Sequence, residues 1–202
     1  MSAKDFFLHE LPQAIEQAKK LHSLPRVTFN VEFAIEDEGV FALVVMDGEM
    51  KVRRGGVANP LVAMQFTKET WDEILDKMLR PQLLRWLNLS PDNISQATEN
   101  EFKHHLHHYR PVAWDQAIAA IKTLPLRLTA EMIPSSNSKF ELRLGGADED
   151  DSTVVVQITA SDYEPILRGQ LPLRQAFSEG KIKLKGSTSA LMALLSRLFV
   201  RS

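Results

Sequence analysis

The segment that most restricts the possible folds is Gly180-Lys-Ile-Lys-Leu-Lys-Gly186, together with the apolar run that follows it to Phe199. Side chains of an extended strand point alternately to opposite faces. Lys181, Lys183 and Lys185 therefore take one face, and Ile182 and Leu184 the other. The lysines suit an edge strand that deters sheet-to-sheet association, or contact with phospholipid headgroups. Lys51, Arg53 and Arg54 show the same habit in another hairpin, which favours the edge reading. Ser187 or Thr188 then stands where a helix cap belongs. Leu191, Met192, Leu194, Leu195, Leu198 and Phe199 follow on the helix, an apolar arc wider than packing on a sheet requires. Such an arc fits a well-buried terminal helix or a lid over an apolar cavity, and the residue pattern leaves both open.

The two halves of the chain echo each other. Leu24-Pro25 and Leu124-Pro125 each end an amphipathic segment, with Ala14, Ala18 and Leu21 matching Trp114, Ile118 and Ile121. An alternating strand follows in each half: Val27, Phe29, Val31 and Phe33, then Leu126, Leu128, Ala130 and Met132. The next strands open at Phe41 and Phe140. Ala63-Met-Gln-Phe-Thr67, followed by Trp71, lines up with Val155-Val-Gln-Ile-Thr159, followed by Tyr163. Each threonine, or Ser161 nearby, occupies an N-cap position with carboxylates in the first turn. The spacing predicts two similar α+β units, residues 1–109 and 110–202, divided at Arg110-Pro111 because the residue before proline resists helix. The first unit has a hairpin with an Asp47-Gly48 turn. The second has the acidic loop Ala147–Ser152 instead, and nothing in the first corresponds to the basic strand.

Composition excludes several classes of function. The net charge of −2 over 202 residues gives no overall drive toward nucleic acid or anionic membrane. With no cysteine, disulfides, thiol catalysis and thiolate zinc sites are absent. The N-terminus lacks a signal-peptide pattern, and no run approaches the roughly 18 apolar residues of a spanning helix. The expectation is a cytoplasmic protein without stable membrane insertion.

Candidate chemistry is sparse. His104, His105, His107 and His108 lie within five residues, and on a helix His104 and His108 share a face. Glu101 is the one carboxylate nearby, so a solvated face is expected rather than a metal site. Asp148-Glu149-Asp150-Asp151 has neither the glycine nor the glutamate of a calcium loop in register. No nucleophile elbow or phosphate loop is present. No cofactor and no catalytic activity are expected.

The C-terminal order is apolar strand Val154–Thr159, capped helix, short helix ending near Phe177, basic strand between Gly180 and Gly186, and apolar helix. This order and these residues resemble the C-terminal half of the sterol carrier protein domain, and the first half resembles that domain more faintly. The resemblance implies an α+β fold, with a mostly antiparallel sheet and helices on one face around an apolar tunnel. It implies non-enzymatic binding, and transfer, of an acyl chain, sterol or similar hydrophobic ligand. The implied lining is Phe177, Ile182, Leu184, Leu191, Met192, Leu195 and Phe199. The alternative is a structural or accessory module that packs against a protein partner or its own copies and holds no ligand.

Overall fold

The structure is a computed structural model that describes residues 2–21, 26–74, 80, 84, 87, 109–123, 126–133, 139–145, 153–167 and 170–201. The histidine cluster and the acidic run lie outside them. The chain opens with α1 (Ala3–Asp5), a π-helical turn (Phe6–Glu10) and α2 (Leu11–Leu21). Strands β1 (Thr28–Ile35), β2 (Gly39–Met46), β3 (Glu49–Arg54) and β4 (Val62–Phe66) follow, then α3 (Lys68–Ile74). The second half has β5 (Tyr109–Pro111), α4 (Trp114–Thr123), β6 (Leu126–Ile133), β7 (Lys139–Leu144) and β8 (Thr153–Thr159). It closes with α5 (Ala160–Leu167), α6 (Leu173–Ser178), β9 (Ile182–Gly186), α7 (Thr188–Leu198) and β10 (Phe199–Arg201).

Eight strands form one sheet in the order β3-β2-β1-β4-β7-β6-β8-β9. Two of the seven ladders, β1–β4 and β6–β8, are parallel, and the rest are antiparallel. The expected α+β class with a mostly antiparallel sheet therefore holds. Both halves repeat one pairing pattern: an antiparallel hairpin whose first strand also pairs in parallel with the strand after it. The registers agree as well. Phe41, Phe33 and Met64 are partners across β2, β1 and β4, and Phe140, Ala130 and Val156 across β7, β6 and β8. The neighbouring row is Leu43, Val31 and Val62 in one half and Leu142, Leu128 and Val154 in the other. Asp47 (φ 46) and Gly48 (φ 83) make the expected two-residue turn, since both positions need the left-handed conformation.

Period-two alternation gathers the large apolar side chains of the clusters on one face, and the helices pack there. The opposite face carries polar groups such as Gln65 and an Arg127–Glu141 ion pair at 2.7 Å. In the first half the covered face is filled by aromatics. Phe6, Phe7, Phe41 and Trp71 have no exposed surface. Phe7 stacks on Phe41 with centroids 4.8 Å apart and on Trp71 at 5.5 Å. The π turn explains how consecutive phenylalanines are both buried. Leu11 N–H reaches back to Phe6 O, and the widened turn sits just before Pro12, which has no N–H and would crowd an α-helical carbonyl.

Thr67 caps α3, accepting from Thr70 N–H at 3.3 Å, and Thr159 caps α5 in the same way, from Asp162 at 3.2 Å. Glu38 ties the first helix to the sheet. It accepts from Ala3 N–H and from Lys68 Nζ, each at 3.0 Å, and the Lys68 contact is the main cause that holds its carboxyl below the usual range.

Phe7→Ala should cost about 3–5 kcal/mol in urea unfolding, because it leaves a cavity between stacked rings. Glu38→Gln tests the latch. A carboxylate held low in the folded state contributes stability above its unfolded pKa and loses it as pH falls through the folded value. The variant should be less stable than wild type by about 1 kcal/mol at pH 7. The difference should vanish in acid, well below the ordinary glutamate value of 4.5.

Candidate functional site

The candidate site is the apolar layer beneath the last helix. The edge strand β9 pairs with β8, placing Leu184 opposite Val156 and Ile182 opposite Ile158. Lys183 and Lys185 point away from this layer and are exposed, as the alternation requires. Lys181, just before the strand, pairs with Glu179 at 2.9 Å and with Asp162 at 3.9 Å. A hydrogen bond from Gln175 at 2.6 Å, and then the Lys181 contact, hold the Glu179 carboxyl below its usual range.

Gly186 links β9 to α7. Its φ is +94°, and a Cβ there would stand 2.3 Å from the Thr153 carbonyl oxygen, so no other residue fits without moving the strand. Ser187 N–H donates to the same oxygen at 3.0 Å, and the Ser187 carbonyl accepts from Ala190 at 3.1 Å. The first turn of α7 is thereby fixed to β8.

Two apolar clusters lie over this half of the sheet. One joins Leu194 and Leu191 of α7 and Ile121 of α4 to Leu126, Leu128, Val154, Val156 and Leu184. The other joins Leu171 and Ala176, around α6, to Ile158 and Ile182. Arg197 of α7 donates to Thr123 Oγ1 of α4 at 3.2 Å, bridging the two helices. At the far end, Val112 N–H donates to Leu198 O at 2.9 Å, and β10 pairs with β5, Phe199 opposite Pro111. The terminal helix is held at both ends.

This arrangement places the expected lining residues unevenly. Ile182, Leu184 and Leu191 face the layer. Met192 is 63% exposed, Leu195 36% and Phe177 44%. The buried arc centres on Leu194, at 2% exposure, and each residue turns about 100° around the axis, which carries Leu195 to the flank and Met192 to the outer side. Phe199 is not on the helix at all. The helix ends at Leu198, because the next three residues satisfy their backbone groups in the β5 ladder. The residues of α7 that join the apolar cluster are Ala190, Leu191, Leu194 and Leu198. The missed residues carried a signal, since Ala190, Leu191, Leu194 and Leu198 follow the i, i+1, i+4, i+8 pattern of one helix face.

Among the described residues no group of three or more histidine, cysteine, aspartate or glutamate side chains could hold a metal ion. No described helix is long and apolar enough to cross a membrane.

Residues 120–199 match the SCP-2 sterol transfer family. The match runs from the last turn of α4 to the start of β10, most of the stretch that builds the layer, and agrees with the resemblance read from the basic strand and terminal helix. No curated protein matches the chain. Among solved structures, a stereoselective inverting sec-alkylsulfatase from Pseudomonas sp. is 17% identical, covering 58% of this chain and 17% of its own, with a TM-score of 0.27. A GCN5-related N-acetyltransferase from Anabaena variabilis is also 17% identical, covering 36% of this chain and 20% of its own, with a TM-score of 0.19. The chain thus spans a fifth or less of either structure, and such likenesses carry no argument about fold or activity.

Leu194→Ala should destabilise the protein by about 2–5 kcal/mol, as for a buried leucine. Met192→Ala, on the outer side of the same helix, should stay within about 0.5 kcal/mol. Urea unfolding of the two variants checks the orientation of α7.

Proposed function

We propose that the C-terminal half, residues 110–202, binds a hydrophobic ligand such as an acyl chain or sterol beneath α7 and carries it without chemical change. The observation that supports this most is a coincidence of position. The SCP-2 match spans the sheet strands β6 to β9 and the helix α7 that covers their apolar face, and α7 touches that face along a stripe centred on Leu194. A helix anchored by backbone contacts at both ends meets the sheet between them through aliphatic side chains such as Leu191 and Leu194, and such side chains can repack around a chain-like ligand. Ile182, Leu184 and Leu191 are the proposed inner wall, joined by Val156 and Leu194. Phe177, Met192 and Leu195 would meet the ligand as it enters or leaves, and Phe199 anchors the helix end through β10.

We infer further that residues 1–109 and 110–202 are two copies of one unit, supported by the register-matched rows. The copies differ in how the covered face is filled. The cluster of the first half is rich in aromatics, Phe6, Phe7, Phe33, Phe41, Phe66 and Trp71, whereas those of the second half are aliphatic among the described residues. In the first copy Phe6 and Phe7 occupy the face. Ligand binding is therefore assigned to the second copy, and the first serves as its scaffold.

The exposure of Met192 and Leu195 on α7 favours a second reading, a module that docks on a protein through the outer side of that helix. One pair of variants separates the two. Under the ligand reading, native mass spectrometry of the purified protein shows bound lipid, and a fluorescent fatty acid binds. Leu191→Trp, pointing inward, then abolishes binding at modest cost to stability, and Leu195→Trp leaves binding nearly unchanged. If the layer is simply solid core, Leu191→Trp costs about 1–3 kcal/mol by overpacking and there is no binding to lose. That outcome, with wild type that binds no apolar probe, would favour the docking module.

A further inference from the structure

Arg197 and Lys181 are held in different ways. Lys181 has two carboxylate partners. Arg197 has a neutral one, Thr123 Oγ1 at 3.2 Å, and no carboxylate among the described residues. That hydroxyl spends its proton inside its own helix, donating to Ala119 O at 3.0 Å and Ala120 O at 3.1 Å, so a lone pair is left to accept from the guanidinium. The arginine is thus positioned without being neutralised, and most of its five N–H donors stay free. Positioning by a neutral acceptor keeps the full charge for something else.

Its place in the fold says what that is. Arg197 lies between Leu194 and Leu198 on α7, and Thr123 lies two residues beyond Ile121 on α4. All three apolar residues belong to the cluster over the C-terminal half of the sheet. The bridge therefore crosses the seam between the two covering helices, beside the apolar layer. Lys122 is exposed on the same last turn of α4. From Gly180 to Ser202 the sequence has five basic residues and no acidic one. A cation at a helix C-terminus also complements the helix dipole, but that role needs no partner on α4.

We propose that Arg197, with Lys122 on the same turn of α4 as its Thr123 partner, is the head-group subsite for an anionic amphiphile whose apolar chain lies beneath α7. The head group is a carboxylate or a phosphate ester, both of which a guanidinium binds with two parallel hydrogen bonds. This rests on the ligand reading above and narrows it from any hydrophobic molecule to one with an anionic end.

The test measures binding of a long-chain fatty acid, a monoalkyl phosphate and a fatty alcohol of equal chain length, by displacement of a fluorescent chain probe. Wild type should bind the two anionic ligands more tightly than the alcohol, by roughly threefold to tenfold at a solvent-accessible site. Arg197→Gln should remove that preference and leave the alcohol unchanged. Arg197→Lys should keep part of it, and Thr123→Val, which leaves the charge but removes its holder, should weaken it. Lys51→Gln, on the opposite edge of the sheet, serves as the charge control and should have no effect. Equal binding of acid and alcohol by wild type, or a preference that survives in Arg197→Gln, overturns the subsite while the ligand reading stands. Displacement of the probe by inorganic phosphate alone also overturns it, since the site would then serve a free anion. Absence of binding by all three ligands overturns the ligand reading, and the subsite with it.

Discussion

The antiparallel ladder between β4 and β7 is the contact on which the rest of the molecule depends. It joins the two four-stranded halves edge to edge, with Val62 opposite Leu144 and Phe66 opposite Phe140. A slip of one residue in that ladder would turn the apolar set of one half to the opposite side of the other. Because the register holds, the sheet has one apolar face, and every described helix that packs on it comes to the same side. The junction also covers two strand edges that would otherwise stand open. The remaining edges, β3 and β9, carry the exposed cations Lys51, Arg53, Lys183 and Lys185.

On this common frame the halves diverge in what lies against the sheet. The first half is closed by its own chain. Phe6 and Phe7, brought to one side by the π turn before Pro12, interlock with Phe33, Phe41 and Trp71. Offset and edge-on rings at such distances pack densely and hold one arrangement. The second half is covered by aliphatic residues on α4 and α7, which meet the sheet along stripes rather than by interlocking rings. The terminal helix is fixed through backbone contacts at its ends, at Gly186 and at β10. Anchored ends with aliphatic packing between them suit a surface that repacks around a chain-like guest, whereas interlocked aromatics suit a scaffold.

Alternation and capping were legible from the residues alone. The basic strand, the Asp47-Gly48 turn, the threonine caps and the pairing of Phe41 and Phe140 with their halves all follow from rules that act within a few residues. The likeness of the C-terminal half to the SCP-2 sterol transfer family was legible on the same basis, as an order of elements with a distinctive strand. The face of the terminal helix was less so. Leu191, Met192, Leu194, Leu195 and Leu198 are all apolar, and composition gives no direction to an arc that wide. Burial of Leu194 at 2% beside exposure of Met192 at 63% is set by the side from which the sheet approaches.

The sequence by itself determined the alternation of the strands of the large sheet, the caps that start α3, α5 and α7, and that one face of that sheet is apolar, because period and cap chemistry are local. Tertiary structure decided three further matters. It made the two halves one sheet rather than two, it ended the last helix at Leu198, and it set Arg197 against Thr123. Each depends on a partner 74 or more residues away in the chain. Phe199 reads as one more apolar helical position until the strand at Tyr109–Pro111 is there to receive it. A ladder between distant segments gains hydrogen bonds that no local propensity records, and those bonds outweigh one further helical turn.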